Sequence, residues 1–600
     1  MQTAFTQTGP GGVGATDGSS NLSIWFDANQ RAYSDAGVTL ATNGQAVQRW
    51  NNLSGYVGIG TFATTTTNFP SYTESALNGY PALTFDGSND LLDFSYTTAS
   101  SGSLFAVASG SYSGGTQKWI IRLGGSGATQ YRKTLGMTAA STMRARLFNG
   151  SAATGISGTI TEATPNVLCY NYNYGGAMEL FINGNSSGTN TSTISTAAGN
   201  SVTARISSND LWDGEIAEII HIAGGANAAE QIIIENYLAA KYGLSLSAND
   251  IYDEDDGGYD HNVAGIGRVD ASNIHNDSKG TGIVRMLNPT DLDDDEFLFW
   301  GHDAGDLIGS EVIDVPIGVA ARLSSVWRVS EANSSGSAID VGSVDIRFDL
   351  SAFTSIVAAD LRLLIDLNNN GLFADDLAIS GATNIGSDVF EFSAVAGLQN
   401  NFRFCLGTID IVDSPLPIVL MRFDAMPTDK NTVILQWTTT SESDNSHFTL
   451  ERSTNGRQFE AIAYIDGAGS TEEIRNYQFE DTSPLDDNSF YRLKQTDFNG
   501  QFSYSEIRKV KLYPTPFNVT LSPNPVNQGE NIKVALANAS IQSPLYISII
   551  NTKGVIEATQ RVFSTSAITN LDLQTSNLSS GIYFVKFTSK AQLTKKVIIK

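Results

Sequence analysis

The carboxylates of Asp213-Gly214-Glu215-Ile216-Ala217-Glu218 are where this 600-residue chain comes nearest to bond-breaking chemistry. Cleaving a glycosidic bond takes two carboxyl groups about 5–9 Å apart, one donating a proton and one attacking or activating water. Glu215 and Glu218 are three apart, and on an unbroken strand such residues face opposite sides. The stretch is therefore read as a closing strand with one inward glutamate, and no catalytic residue is assigned. The five histidines (His221, His261, His275, His302, His447) lack a His-x-x-x-His spacing. His302-Asp303 beside Trp300 could form a catalytic or zinc pair, but such a histidine more often satisfies a loop hydrogen bond. Gly265-Ile266-Gly267 lacks the third glycine and the helix of a dinucleotide site, and no nucleophile elbow or phosphate loop occurs. Cys169 and Cys405 have neither metal nor redox spacing. They read as two buried thiols rather than a disulfide.

Asp366, Asn368 and Asn370 stand at positions 1, 3 and 5 of a loop with Gly371 at position 6. That is the opening of a calcium loop, in which alternate oxygens converge while glycine permits the bend. Position 12 is Leu377, so closure would fall to Asp375 or Asp376. The competing reading is a hairpin in which Asn370-Gly371 makes a tight turn. Calcium is the one cofactor the sequence suggests. Among the tryptophans that could stack on sugar rings, Trp25, Trp50 and Trp212 lie in strand blocks and read as core. Trp119, between Lys118 and Arg122, is left as the candidate ligand contact.

The elements that must position these residues are nearly all strands. Gly is abundant (56), Ser/Thr/Asn runs recur, and hydrophobic content is 41%. This is an all-β composition with enough apolar residues for several cores. A formal charge of −26 argues against nucleic acid and against anionic membrane surfaces. No apolar run reaches membrane-span length, and Met1–Phe5 is polar, without the apolar core of a signal peptide. One helix is predicted. Asn227 caps it with Glu230 completing a capping box, Ile233, Ile234, Tyr237 and Leu238 make its stripe, and Gly243 stops it. From Tyr513 onward eight Lys and Arg stand against three Asp and Glu, a net of +5, which leaves −31 for residues 1–512.

That basic tail carries Leu521-Ser522-Pro523-Asn524-Pro525-Val526, then Gly581-Ile582-Tyr583-Phe584-Val585-Lys586-Phe587, then Lys595-Lys596-Val597-Ile598-Ile599-Lys600. The trio resembles the C-terminal sorting domain of type IX secretion cargo in Bacteroidota. The resemblance implies a secreted or cell-surface location, with the secretion machinery as partner. It places the signal at Pro523, Asn524, Pro525, Gly581, Lys595 and Lys596. Upstream, Trp50-Asn51-Asn52-Leu53-Ser54-Gly55, Phe85-Asp86-Gly87-Ser88-Asn89-Asp90 and Trp212-Asp213-Gly214-Glu215-Ile216-Ala217-Glu218 resemble a concanavalin A-like (laminin-G-like) jelly roll. Hydrolases of that fold use Glu-x-Asp-x-x-Glu, from which Asp213–Glu218 departs. Val433–Trp437, Phe448–Ser453 and Tyr491–Gln495 resemble a fibronectin type III-like module with Trp437 in its core.

The expected division is a loose lead-in at 1–20, the jelly roll at 21–245, and an acidic-loop β domain at 246–408. The type III-like sandwich follows at 409–512 and the sorting domain at 513–600. The expected function is non-catalytic binding at the cell exterior, as an adhesin or by glycan recognition, with an extracellular glycan or surface molecule as partner. A structural surface or filament subunit is the alternative, and a polysaccharide hydrolase the second.

Overall fold

The structure is a computed structural model. It describes residues 7–600 except 57–59, 63–67, 116, 126–130, 193, 195–200, 210, 254–256, 306, 308, 354–355, 412–413, 415–419, 429–431, 440–441, 455, 457, 472–474, 486–487, 499–501, 506, 512–517, 538–544, 563–567 and 589–591. The sequence also reads as an acidic loop at Asp253-Glu254-Asp255-Asp256, a proline-containing joint at Ser414-Pro415-Leu416-Pro417 and a turn at Phe498-Asn499-Gly500, of which 254–256, 415–417 and 499–500 lie outside the described residues. The chain divides into two compact units, 1–419 and 420–600. As expected, it is all-β.

Two large antiparallel sheets make the first sandwich. One runs, edge to edge, Asn185–Thr191, Ala177–Ile182, Asn166–Asn173, Ser101–Gly110, Asp213–Ala223, Tyr80–Asp86, Ser71–Leu77, with Leu22–Asp27 also on Asp213–Ala223. The other runs Ala153–Thr159, Thr142–Asn149, Tyr131–Ala139, Lys118–Gly124, Ser201–Asn209, Leu92–Thr97, Gly60–Phe62, Arg49–Asn51, Ala32–Tyr33. Period-two sequence builds them. In Thr142–Asn149, Met143, Ala145 and Leu147 are buried, while Arg144, Arg146 and Phe148 are partly exposed. The inward set packs between the sheets with Phe26, Trp50, Leu135 and Trp212.

The helix α1 (Ala228–Tyr242) forms as the caps dictate. The Asn227 side chain accepts from Ala229 and Glu230 N–H, the Glu230 side chain accepts from Asn227 N–H, and Gly243 turns left-handed at φ 59°. Almost every side of α1 is buried, because it lies between two sheets. Phe105, Val107, Ala217, Ile220 and Ile222 meet it from the first sandwich, and Val263, Phe297 and Phe299 from the second. The first sheet above is therefore the helix-side sheet, and the other is the outer sheet.

The lead-in corrects an expectation. From residue 7 it is not loose, for Pro10–Gly12 forms a buried 3-10 turn. Lys279 and Gly280 N–H both donate to the Gln7 carbonyl, and the Ser278 hydroxyl to that of Gly11. Glycine is what allows this approach. A Cβ on Gly11 would stand 3.0 Å from Ile233. The second sandwich pairs an eight-stranded with a five-stranded sheet around Trp300, Trp327, Phe348 and Phe404.

In the unit 420–600, a three- and a five-stranded sheet enclose Phe423, Trp437, Phe448 and Tyr491. A further three- and four-stranded pair enclose Val534, Ile547, Val585 and Val597.

Candidate functional site

The strand Asp213–Ala223 carries both candidate carboxylates, and a one-residue bulge between Ile216 and Glu218 breaks its alternation. Ile216 and Ile219 point into the sandwich, while Ala217 and Ile220 face the helix. Glu215 and Glu218 therefore leave the strand on the same side, which overturns the expectation of opposite faces. Glu218 is fully buried (0%) and taken up by protein donors. Lys241 Nζ lies 2.8 Å away, the Trp25 indole donates at 2.6 Å, and the Tyr242 and Tyr237 hydroxyls at 2.8 and 3.1 Å. Lys241 also holds Asp27 at 2.7 Å. Burial opposes the ammonium, but Asp27 and then Glu218 outweigh it and hold the Lys241 pKa well above the ordinary lysine value. Glu215 accepts from the Ser109 hydroxyl at 3.0 Å. Glu218 thus has no approach for substrate or water, and the cluster is a clamp between helix and sheet.

The outward face of the outer sheet is built differently. Five of the seven arginines of residues 21–245 gather there: Arg122, Arg132, Arg144, Arg146 and Arg205. Strand register aligns them in one row across six strands, Asp93–Arg205–Arg122–Thr134–Arg146–Gly155. A flanking row runs Ser208–Trp119–Gly136–Arg144–Ser157, and another Gly124–Arg132–Phe148–Ala153. Small residues in each row leave room between long ones.

Only one carboxylate enters these rows, and Arg205 takes it, at 2.6 and 2.7 Å from Asp93. Arg122 donates to the Gly124 carbonyl and the Ser208 hydroxyl, and Arg146 to the Gln117 side chain at 3.1 Å. The Arg132 guanidinium lies 4.2 Å over Phe148. Arg144 Nε and the hydroxyl of buried Thr134 have no hydrogen-bond partner. Burial, then neighbouring Arg205, pushes the Arg122 pKa down to about 10. Burial, then Arg132 and Arg144, lowers that of Arg146. Both shifts are first of all marks of burial, with like-charged neighbours adding to it and Asp93 partly offsetting it at Arg122. Trp119, the tryptophan singled out from sequence, is buried (1%), lies outside the sandwich core and belongs to this face.

The proposed calcium residues do come together, but their loop closes on itself. Buried Asp366 is held by Arg403 at 2.8 Å and accepts from Asn370 and Gly371 N–H. The Asn368 and Asn370 side-chain amides donate to Asp375 at 3.2 and 2.8 Å. Burial, then Asp375 and Asp366, raises the Asp376 pKa. A cation would have to displace Arg403 from Asp366 and turn both amides around. As it stands the loop is held by Arg403 and the two amides rather than by a cation, and one oxygen, Asp376 Oδ2, is buried without a hydrogen-bond partner.

The histidines do not converge either. His221 sits between the Ser23 and Tyr172 hydroxyls at 2.6 and 2.8 Å, and burial pushes its pKa down to about 3. His261 and His302 face each other with ring centroids 5.6 Å apart. Asp260 holds His261 at 2.6 Å, and Asn262 lies 2.8 Å from His302. Among the described residues no three His, Cys, Asp or Glu side chains group as metal ligands. Cys169 and Cys405 are both buried and free, as read from sequence.

The sorting residues assemble into one corner. The Asn524 side chain donates to the Lys596 carbonyl at 2.8 Å and accepts from Ile598 N–H at 3.0 Å, clamping the strand Gln592–Ile599. Val526 exchanges backbone hydrogen bonds with Ile598 and Lys600. Gly581 pairs with Ile599, and Val585 and Phe584 with Lys595 and Lys596. Pro523 and Pro525 flank Asn524, so the separated motifs are one contact in space.

Comparison with known proteins agrees with that corner. Residues 520–600 match the model of a secretion system C-terminal sorting domain, and residues 230–396 match a domain of unknown function. The protein is type IX secretion cargo and is secreted or displayed at the cell surface. No helix among the described residues is long and apolar enough to cross a membrane.

No curated protein matches the chain. Similar solved structures include domain 4 of AbnA, a GH43 extracellular arabinanase from Geobacillus stearothermophilus, in complex with arabinotriose. It is 11% identical, covers 34% of this chain and 92% of that one, and has a TM-score of 0.23. The Ruminococcus gnavus IT-sialidase CBM40 bound to α2,3 sialyllactose gives 12%, 21%, 77% and 0.18 for the same quantities. The SAP-like pentraxin of Limulus polyphemus gives 17%, 23%, 72% and 0.19. At such scores the likenesses carry no argument about ligands.

Proposed function

We propose that this protein binds glycans at the cell exterior without turning them over, through the outward face of the outer sheet. The observation that carries the reading is the make-up of that face. Its rows combine the partly exposed guanidiniums of Arg144 and Arg146 with the partly exposed ring of Phe148, on a sandwich that the tail sends outside the cell. Hydrogen-bonding groups placed beside aromatics are what sugar recognition needs, since sugars present hydroxyls at their edges and apolar C–H faces above and below. Of the two carboxylates that hydrolysis would require, Glu218 is spent in the clamp with Lys241, while Glu215 accepts from the Ser109 hydroxyl. A glycan array probed with the purified full chain tests the reading. Retention of at least one glycan, without release of reducing ends, is the expected result. An array with no bound glycan overturns it.

A further inference from the structure

We infer that the glycan is an acidic one, whose carboxylate or sulfate oxyanions are held by Arg144, Arg146 and the arginines beside them. This rests on the reading of the outer face as a ligand surface and adds the chemical class of the ligand.

The first argument is charge balance. The chain as a whole is −26, yet five arginines and a single aspartate meet on this face. Elsewhere in the same unit several arginines have a carboxylate each, although Arg362 donates to the Ala359 and Leu361 carbonyls and Arg322 meets both Glu311 and Asp314. Arg285 pairs with Asp277, Arg347 with Glu391 and Arg403 with Asp366. An arginine serving only stability gains little from like-charged neighbours, so an uncompensated group calls for an anion from outside.

The second argument is unspent donor capacity. A guanidinium has five N–H donors. Arg144 Nε is shut off from water without a partner, and its guanidinium lies over Gly155, where a Cβ would come within 2.9 Å of it. Thr134, opposite Arg146 and Arg122, adds a buried hydroxyl that is also unspent.

The third argument is spacing. Arg144 and Arg146 are two apart on one strand, so their side chains leave the same face about 7 Å apart. The neighbouring strand brings Arg132 within about 5 Å of that line, and Arg122 follows one strand further, about 10 Å away. A polymer with an oxyanion on successive units meets several guanidiniums at once. A neutral chain would leave them unpaired.

The test measures affinity of the purified full chain by calorimetry for polygalacturonate, dextran sulfate, unmodified dextran and duplex DNA, at low and physiological salt. Binding to polygalacturonate, to dextran sulfate or to both, weakened by salt and absent for dextran, is expected. The two polymers separate carboxylate from sulfate as the source of the oxyanion. The double variant R144Q/R146Q should lower that affinity at least about tenfold. R146K should keep part of it, and R268Q, on the second sandwich, should leave it unchanged.

Equal loss in R268Q overturns the site. DNA bound as tightly as dextran sulfate overturns the glycan and leaves a general polyanion surface. Neutral array glycans bound through this face, with both acidic polymers silent, overturn the acidic ligand while the proposed function stands. Silence of every probe together with an empty array removes both.

Discussion

The clamp beneath α1 and the arginine face of the outer sheet solve opposite problems with the same residue types. In the clamp, Lys241 meets Asp27 and Glu218, and three aromatic side chains donate to Glu218, so the buried charges are answered from within. On the arginine face, one carboxylate stands against five guanidiniums. The difference separates a charge cluster that holds the protein together from one that waits for something else. Lys133 marks the boundary between them. It is one position from Arg132 but faces inward, buried among Tyr96, Tyr172 and Tyr174, with no hydrogen-bond partner on its ammonium.

Breaking the clamp should have the largest effect. Lys241→Met leaves Asp27 and Glu218 buried without their cation, which costs about 3–5 kcal/mol. Urea unfolding of the full chain would show it as a lower midpoint for the first unit.

Lys133→Met should act the other way, stabilising by on the order of 3 kcal/mol at neutral pH. Burial pushes the Lys133 pKa down to about 7, against about 10.5 in an unfolded chain. Between those values the unfolded chain binds the proton and the folded one does not, so stability rises with pH across that window. The penalty is complete below pH 7 and gone above about 10.5, and the gain from Lys133→Met should shrink accordingly. Melting curves at pH 6 and pH 10 would check the sign.

On the arginine face, R144Q/R146Q should change stability by less than about 0.5 kcal/mol while removing acidic-glycan binding. A large loss of stability there would make the face structural and erase the contrast. Smallest of all, millimolar calcium should leave the melting temperature in place, because Arg403 already answers Asp366. A calcium-dependent rise that Asp366→Ala abolishes would restore the calcium loop.

The strand blocks, the capped helix and the tail motifs were legible because each is local. Asn227 and Glu230 are three apart, and Met143, Ala145 and Leu147 alternate within one strand. The arginine face was not. Arg122, Arg132, Arg146 and Arg205 become neighbours only through the register of four strands, two of which are joined through residues 126–130. Arg144-x-Arg146 was the local trace, a period-two repeat of charge that could have been set beside Trp119. The bulge at Ile216–Glu218 was invisible for a related reason, since nothing in Glu-Ile-Ala-Glu announces an extra residue. The lead-in misled because glycine suggests looseness, whereas Gly11 and Gly12 serve close packing.

The burial of α1 by two sheets at once bears on how such proteins can be recombined. A graft that moved residues 21–245 to a new host would strip Val263, Phe297 and Phe299 of their cover and bare the far side of the helix. A cut at residue 230, where the match to the uncharacterised domain begins, would sever the helix from its Asn227 cap. The transplantable piece is the pair of sandwiches with the lead-in wedged beside the helix. Lineages that exchange surface proteins by swapping cassettes would have to pass this pair on whole.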